Sequence, residues 1–203
     1  MIDDGLVTKV PHPEVVVGQH VMPKPAGQVF TSSGPMLSMA DSLKITVHGR
    51  GSHGSMPHLS IDPVVLASSI VLRLQTVVSR EVEPGAFAVL TVGALSAGDQ
   101  ANVIPDRAEL RLNLRTYDEE VRNRVVASIE RIVRGECEAA GSPEEPEFEY
   151  YDQFPLTDND STTTHRVTQA LQDGFETGTV QEGSPATASE DFSEIPEAFG
   201  VPY

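Results

Sequence analysis

The sequence has a single cysteine, few basic residues and no long apolar run, and each shortage excludes a class of protein. Because Cys137 is the only cysteine among 203 residues, the chain can form neither an intrachain disulfide nor a cysteine-cluster zinc site. It follows Ile129 and Val133 at helical spacing, which predicts a core residue. No stretch approaches the roughly 20 apolar residues of a membrane span. The first residues lack the basic and apolar segments of a signal peptide, so a cytoplasmic protein is expected.

The shortage of positive charge limits the expected partners. Lys and Arg total 14 against 30 Asp and Glu, which gives a formal net charge of −16 at pH 7. Nucleic acids and anionic membrane surfaces are bound through positive patches that replace their counterions, so neither is expected as a partner. The apolar share of 39% and the charged share of 22% are ordinary for a globular protein.

The patterns along the chain predict three segments. Residues 40–154 carry clear strand and helix periodicities, whereas residues 1–39 and 155–203 are each too short to form an independent core. In the first segment, the β-branched run Glu14–Gly18 predicts a short buried strand. The small, turn-forming residues Thr31–Pro35 predict a hinge.

The two ends of the chain resemble interrupted elements. Residues 1–6 are typical of the end of a helix, and residues 201–203 are apolar and strand-like. We therefore expect the chain to be part of a longer protein. A helix is predicted near residues 161–175, and a short strand near residues 28–30.

The middle segment alternates between strand and helix patterns. Leu43, Ile45 and Val47 alternate with polar residues, as do the even-numbered residues 108–114, and both patterns predict half-buried strands. Further strands are expected at residues 87–92 and 148–154. Asp62 and Asp118 are predicted to cap two helices. The predicted buried stripe of the first helix consists of Val64, Ala67, Val71, Leu74 and Val78. The resulting βαββαβ order is that of the ferredoxin-like fold, an antiparallel sheet with two helices on one face.

The glycine-rich and histidine-rich loop after the first of these strands permits several interpretations. Residues 49–54 match G-x-G-x-x-G, but no helix begins on these glycines and no acidic residue follows at the distance that a dinucleotide site requires. His48, His53 and His58 recur every five residues, a spacing that brings neither a strand nor a helix back to one face. Loop histidines are therefore preferred to a shared metal site. Ser52 beside His53 lacks the G-x-S-x-G context of a serine hydrolase.

His20 follows the predicted Glu14–Gly18 strand. The carboxyl ends of strands are where α/β folds collect ligands, which favours a functional histidine. A hydrogen-bonded core histidine is the alternative, and the residues alone leave both open.

Three separated segments resemble, in the right order, the metal-dependent amidohydrolases of the hippurate hydrolase, aminoacylase and plant auxin-conjugate hydrolase type. Gly-Gln-His20-Val-Met-Pro resembles the segment from which these enzymes supply a metal-binding histidine, so the resemblance implies this role for His20. Gly-Arg-Gly-Ser-His53-Gly-Ser-Met-Pro-His58 is similar to the lid loop, whose first histidine polarises the scissile carbonyl in the active site of the partner subunit. The resemblance implies this role for His53.

The remaining matches imply a substrate site. Asn102-Val-Ile-Pro resembles the lid stretch whose asparagine binds substrate, and Arg115 in Leu-Arg-Thr-Tyr-Asp matches an arginine near the substrate carboxylate. A turn asparagine and a solvated strand charge are the alternatives. Ser189-Glu-Asp-Phe192 looks like a family signature beside the active site.

The implied architecture is an α/β protein in which a ferredoxin-like α+β lid, residues 40–154, is inserted into an incomplete α/β zinc-peptidase-like catalytic domain formed by residues 1–39 and 155–203. The implied function is metal-dependent hydrolysis of the amide bond of N-acyl or N-aroyl amino acids by a homodimer. The family uses two divalent ions, zinc, manganese or cobalt, and a catalytic glutamate. Apart from His20, this sequence lacks the motifs that supply the ligands and the glutamate, so we expect the isolated chain to retain no metal and to be inactive.

A non-catalytic dimerisation or binding module of ferredoxin-like fold is the main alternative, because the edges of such sheets can pair without any chemistry. A nucleic-acid-binding ferredoxin-like domain is less favoured, since the basic and aromatic sheet face that it needs is missing.

Overall fold

A computed structural model describes all residues 1–203, which form two compact units. One unit consists of residues 1–39 and 154–203, and the other of residues 40–153. The α-helices are α1 (Leu6–Lys9), α2 (Pro63–Thr76), α3 (Glu119–Ala140), α4 (Ser161–Gly174) and α5 (Glu194–Phe199). The strands are β1 (Val29–Thr31), β2 (Gly34–Leu37), β3 (Met39–His48), β4 (Ser52–His53), β5 (Ala88–Ser96), β6 (Val103–Ile104), β7 (Arg107–Thr116), β8 (Glu147–Phe154), β9 (Thr157–Asn159) and β10 (Val180–Glu182).

The 40–153 unit is built on a four-stranded sheet with the order β5-β7-β3-β8. Helix α2 follows β3, and helix α3 follows β7, which reproduces the predicted βαββαβ order. The predicted ferredoxin-like fold is therefore confirmed. Strands β4 and β6 form a separate two-stranded antiparallel ladder, which the sequence did not predict.

The core of this unit lies between the sheet and the two helices. Four residues of β7 at every second position, Ala108, Leu110, Leu112 and Leu114, are each at most 3% exposed. They pack in one cluster with residues of β3, α2 and α3. Cys137 of α3 belongs to this cluster, and burial raises the pKa of its thiol to about 11. It is therefore the predicted core residue and not a reactive thiol.

The two predicted caps hold the amino termini of α2 and α3. The Asp62 carboxylate accepts a hydrogen bond from the backbone N–H of Val64 at 2.8 Å, and the Asp118 carboxylate accepts one from Val121 at 2.9 Å. Each bond satisfies a donor that lacks an intrahelical partner. Gly141 ends α3 in the left-handed region, with φ 71°.

The predicted buried stripe of α2 is wrong in part. Val64 is 38% exposed, and Val71 is only partly buried. The buried residues of this helix and the turn after it are Pro63, Leu66, Ala67, Ile70, Leu74 and Val77. Helix α2 is apolar on most of its circumference, so its sequence permits more than one stripe, and packing against β7 and α3 selects among them.

The other unit contains two short ladders. Strand β1 pairs in parallel with β10, and β2 pairs antiparallel with β9. The Thr31–Pro35 segment, predicted as a hinge, contains the end of β1 and the start of β2. At the start of α4, the Asp160 carboxylate accepts a hydrogen bond from the Thr163 N–H at 2.7 Å.

The predicted buried strand at Glu14–Gly18 is wrong. These residues are not in a strand, and Val15 and Val17 are 38% and 61% exposed. The Val16 N–H donates one hydrogen bond, to the Pro202 carbonyl at 3.2 Å. A β-branched run becomes a strand only where a neighbouring backbone pairs along it, and one bond does not make a ladder.

No helix of the structure is both long enough and apolar enough to cross a bilayer. The cytoplasmic location stays a prediction.

Candidate functional site

The β4–β6 ladder positions two of the predicted site residues. His53 of β4 lies opposite Val103 of β6, and the Gly54 N–H donates a hydrogen bond to the Asn102 carbonyl at 2.8 Å. Residues from two separate motifs therefore meet at one end of this ladder. Both His53 and Asn102 are exposed to solvent.

The glycines of the loop allow close approach of neighbouring backbone. A Cβ atom at Gly49 would lie 2.3 Å from the Ile61 carbonyl oxygen, and one at Gly54 would lie 3.0 Å from the Asn102 carbonyl oxygen. The first distance is too short for any side chain, and the second requires a shift. The G-x-G-x-x-G pattern is thus explained by backbone packing.

The imidazole of His53 contacts Ser55 through one of its two nitrogens. His53 Nδ1 lies 2.8 Å from Ser55 Oγ, and the Ser55 backbone N–H donates to the same nitrogen at 3.2 Å. Since Nδ1 is occupied by these contacts, Nε2 is the nitrogen that can meet a ligand. The Ser55 contact was not anticipated from the sequence, although an i,i+2 pair is a local feature.

Arg115 lies elsewhere in the same unit. It is on β7, partly buried and opposite Val89 of β5. His53 and Asn102 lie at the β4–β6 ladder, so the three predicted residues of this unit are distributed over two sheets.

His20 belongs to the other unit, where its Nε2 atom contacts the carboxylate of Glu190. The two residues are 170 positions apart in the chain. Close packing of their segments accounts for the contact, because a Cβ atom at Gly18 would lie 2.8 Å from the ring of Phe192. The His20 side chain is 57% exposed and that of Glu190 is 19% exposed. His20 is therefore not a core histidine.

Glu190 is a candidate site residue that sequence reasoning did not single out. It lies within the Ser189-Glu-Asp-Phe192 segment, whose resemblance to a family signature was the only signal. This segment therefore lies beside His20.

The residues present do not form a complete metal site. His20 and Glu190 provide two adjacent donors of types that bind zinc, whereas a catalytic zinc ion takes about three protein ligands. The structure contains no group of three or more His, Cys, Asp or Glu side chains that could hold a metal ion.

The other two histidines of the five-residue repeat lie in different elements. His48 is on β3 with its Nε2 atom 3.2 Å from a carboxylate oxygen of Glu147, and His58 is exposed in a 3-10 turn, Pro57–Leu59. The three histidines do not form a group that could hold a metal ion.

Comparison with known proteins identifies the family. The model of the M20 peptidase dimerisation domain matches residues 37–140, half of the chain and most of the ferredoxin-like unit. The chain therefore belongs to the M20 peptidase family, and the resemblance noted in its motifs is confirmed.

Named relatives match across both units. The chain is 34% identical to thermostable carboxypeptidase 2 of Saccharolobus solfataricus over 196 residues, which cover 96% of this chain and 48% of that protein. It is 39% identical to hippurate hydrolase of Campylobacter jejuni over 140 residues, which cover 68% of this chain and 36% of that protein. The chain spans about half the length, or less, of the curated relatives it matches.

A solved structure of the family has a similar fold. The crystal structure of a dinuclear metal-binding M20 peptidase from Bacillus subtilis superposes with a TM-score of 0.71 and 26% identity, covering 99% of this chain and 48% of that one. Membership of this family suggests divalent metal ions as cofactors.

Proposed function

We propose that the protein acts in the hydrolysis of the amide bond of N-acyl or N-aroyl amino acids, which yields a carboxylic acid and an amino acid. The observation that carries this proposal is the position of His53, exposed at the end of the β4–β6 ladder with Nε2 available to a ligand. The relatives support the substrate class, since they include a hippurate hydrolase and an N-acyl-L-amino acid amidohydrolase.

In this proposal His53 acts on the carbonyl oxygen of the scissile amide. When water adds to an amide carbon, negative charge develops on this oxygen, and a preorganised hydrogen-bond donor stabilises the charge in the transition state. Asn102, held next to Gly54, binds the substrate, and Arg115 pairs with its carboxylate.

The proposed cofactors are two divalent ions, zinc, manganese or cobalt, with His20 as a ligand from this chain. His20 and Glu190 alone do not make up the donor set of such a site. Elemental analysis of the purified chain measures how much metal these residues hold. We expect well below two ions per chain, and two ions per chain would overturn this expectation.

The proposed activity is tested on the polypeptide of the complete reading frame, which the flanking DNA defines. Hippurate and a panel of N-acetyl amino acids are assayed with each metal, for the unaltered polypeptide and for His53→Ala. Loss of one oxyanion donor is expected to lower kcat by roughly 10²- to 10³-fold. His58→Ala, five residues further on, serves as the control and should retain activity. Absence of turnover by the unaltered polypeptide on every substrate would reject the proposal. We expect no turnover by the 203-residue chain alone.

A dimerisation module is the second candidate function, and strand β5 favours it. This edge strand has no charged residue and no proline from Ala88 to Ser96, and Val89 and Leu95 are 38% and 41% exposed. The opposite edge strand, β8, carries Glu147 and Glu149, which would repel their counterparts in a second copy. An uncharged edge pairs readily with another strand, so we propose that two copies associate in an isologous dimer through β5.

A further inference from the structure

The two contacts between Ser55 and His53 Nδ1 determine which ring nitrogen carries the proton. A neutral imidazole has one N–H and one bare nitrogen, and the structure around the ring decides between them. The Ser55 backbone N–H can only donate, and it points at Nδ1 from 3.2 Å. A proton on Nδ1 would face this N–H directly, so this contact favours the tautomer in which Nδ1 is the bare nitrogen.

The Ser55 hydroxyl adds a second interaction with the same preference. Its Oγ atom lies 2.8 Å from Nδ1. A hydroxyl can donate or accept, but beside an Nδ1 that already receives the backbone N–H only donation is consistent. We infer that Ser55 is a positioning residue, which holds His53 as the neutral tautomer with its proton on Nε2.

The loop around this pair is held by contacts that do not involve the ring. Ser52 Oγ donates to the Met56 carbonyl at 3.2 Å, and the Met56 N–H donates to the His53 carbonyl at 2.8 Å. The Gly54 N–H is bonded to the Asn102 carbonyl. Because the backbone on both sides of Ser55 is fixed in this way, its amide is held in place to meet Nδ1.

The consequence is a defined chemical role for the ring. A neutral histidine with the proton on Nε2 presents a hydrogen-bond donor to a ligand and cannot accept a proton at that atom. Such a group suits a carbonyl oxygen that gains negative charge, and it does not suit a general base. This consequence rests on the proposed function, whereas the tautomer itself does not.

The tautomer is measured by nitrogen NMR of the 203-residue chain labelled with ¹⁵N in its histidine rings. Spectra are recorded at about pH 8.5, above the ordinary pKa of histidine, and His53→Gln identifies the His53 signals. We expect His53 Nε2 to be protonated and Nδ1 to be bare. Ser55→Ala removes the hydroxyl and leaves the amide, and should lower the ratio of the two tautomers roughly fivefold, the effect of one ordinary hydrogen bond.

Two further variants control this measurement. Ser55→Thr retains a hydroxyl and should restore the native ratio. Ser60→Ala removes a hydroxyl that bonds the Pro57 carbonyl in the same loop and should leave the ratio unchanged. A native His53 with its proton on Nδ1, or a ratio that is equal in native protein and Ser55→Ala, would overturn the inference.

The NMR experiment and the activity assay can fail independently of each other. If the NMR result is as expected but His53→Ala leaves the activity of the complete polypeptide unchanged, the positioning role stands and the catalytic role fails. If the native ratio does not respond to Ser55, the positioning role fails whatever the activity.

Discussion

At the residue scale, Glu81 makes the stability of the 40–153 unit depend on pH. It ends the π-helical turn Val77–Glu81, which follows α2, and links this turn to helix α3. Its carboxylate accepts hydrogen bonds from Ser128 Oγ at 2.7 Å and from Arg131 Nη2 at 2.6 Å. Both bonds lower the pKa of Glu81, and the bond from Ser128 has the larger effect. A carboxyl whose pKa is lower in the folded state stabilises that state above its unfolded pKa and loses this effect as the pH falls through its folded pKa.

We therefore predict a pH-dependent effect of Ser128→Ala. At pH 7 the variant should lose about 1 kcal/mol in the free energy of unfolding, because one hydrogen bond is removed. The loss is below that of a fully buried bond to a charged group, because the Glu81 side chain is 32% exposed and retains its bond to Arg131. The difference should shrink as the pH falls below about 4.3, the ordinary pKa of glutamate, where the carboxyl of the unfolded chain is protonated. It should vanish as the pH falls further, through the lower pKa of the native Glu81. Urea unfolding at a series of pH values measures it. Ser79→Ala, which removes an exposed hydroxyl bonded to Gln75, should show no such trend, and a constant difference for Ser128→Ala would contradict the prediction.

At the scale of elements, the two edges of the four-stranded sheet differ in their ability to pair. Strand β5 is uncharged, whereas β8 alternates acidic and aromatic residues. Helix α2 contacts β5, and two of its apolar residues, Val65 at 62% and Leu72 at 73%, are exposed. The β5 edge is therefore the one at which we expect a second copy to pair.

The double variant Val89→Lys with Leu95→Lys is predicted to convert the dimer to a monomer. Each copy would then carry two positive charges on its pairing edge, and lysine is a residue that natural proteins use to block edges. Light scattering measures the mass. Tyr151→Lys changes a residue of the other edge, 37% exposed, and should remain dimeric. A dimer that persists in the double variant, or that is lost in Tyr151→Lys, would place the interface elsewhere.

At the scale of the whole molecule, apolar burial is concentrated in one unit. Every residue of the principal core cluster lies between Leu43 and Cys137. The other unit has few fully buried apolar residues, among them Pro196 and Phe199. Since burial of apolar surface is the main stabilising contribution, the two units are expected to differ in local stability.

Hydrogen exchange tests this difference. Amides of β3 and β7 should exchange only on global unfolding, whereas those of residues 11–28, which belong to no helix or strand, should exchange through local opening. Limited proteolysis is expected to cleave residues 11–28 first and to leave residues 40–153 intact. Equal protection of the two regions would contradict the prediction.

The amount that sequence alone could predict depended on how local the interactions are. The alternation along β7 and the Asp62 and Asp118 caps involve residues within a few positions of each other, so their outcome is contained in the sequence. The motifs around His20 and His53 were recognisable for the same reason. Their proposed roles stay predictions.

Tertiary structure decided the features that depend on distant parts of the chain. The apolar residues of α2 permitted several buried stripes, and contact with β7 and α3 selected one. The run Glu14–Gly18 had the composition of a strand but lacks a neighbouring strand to pair with. The contact of His20 with Glu190 joins residues 170 positions apart. Periodicity and capping are set by neighbours along the chain, whereas burial phase, strand pairing and site assembly are set by whichever surfaces the fold brings into contact.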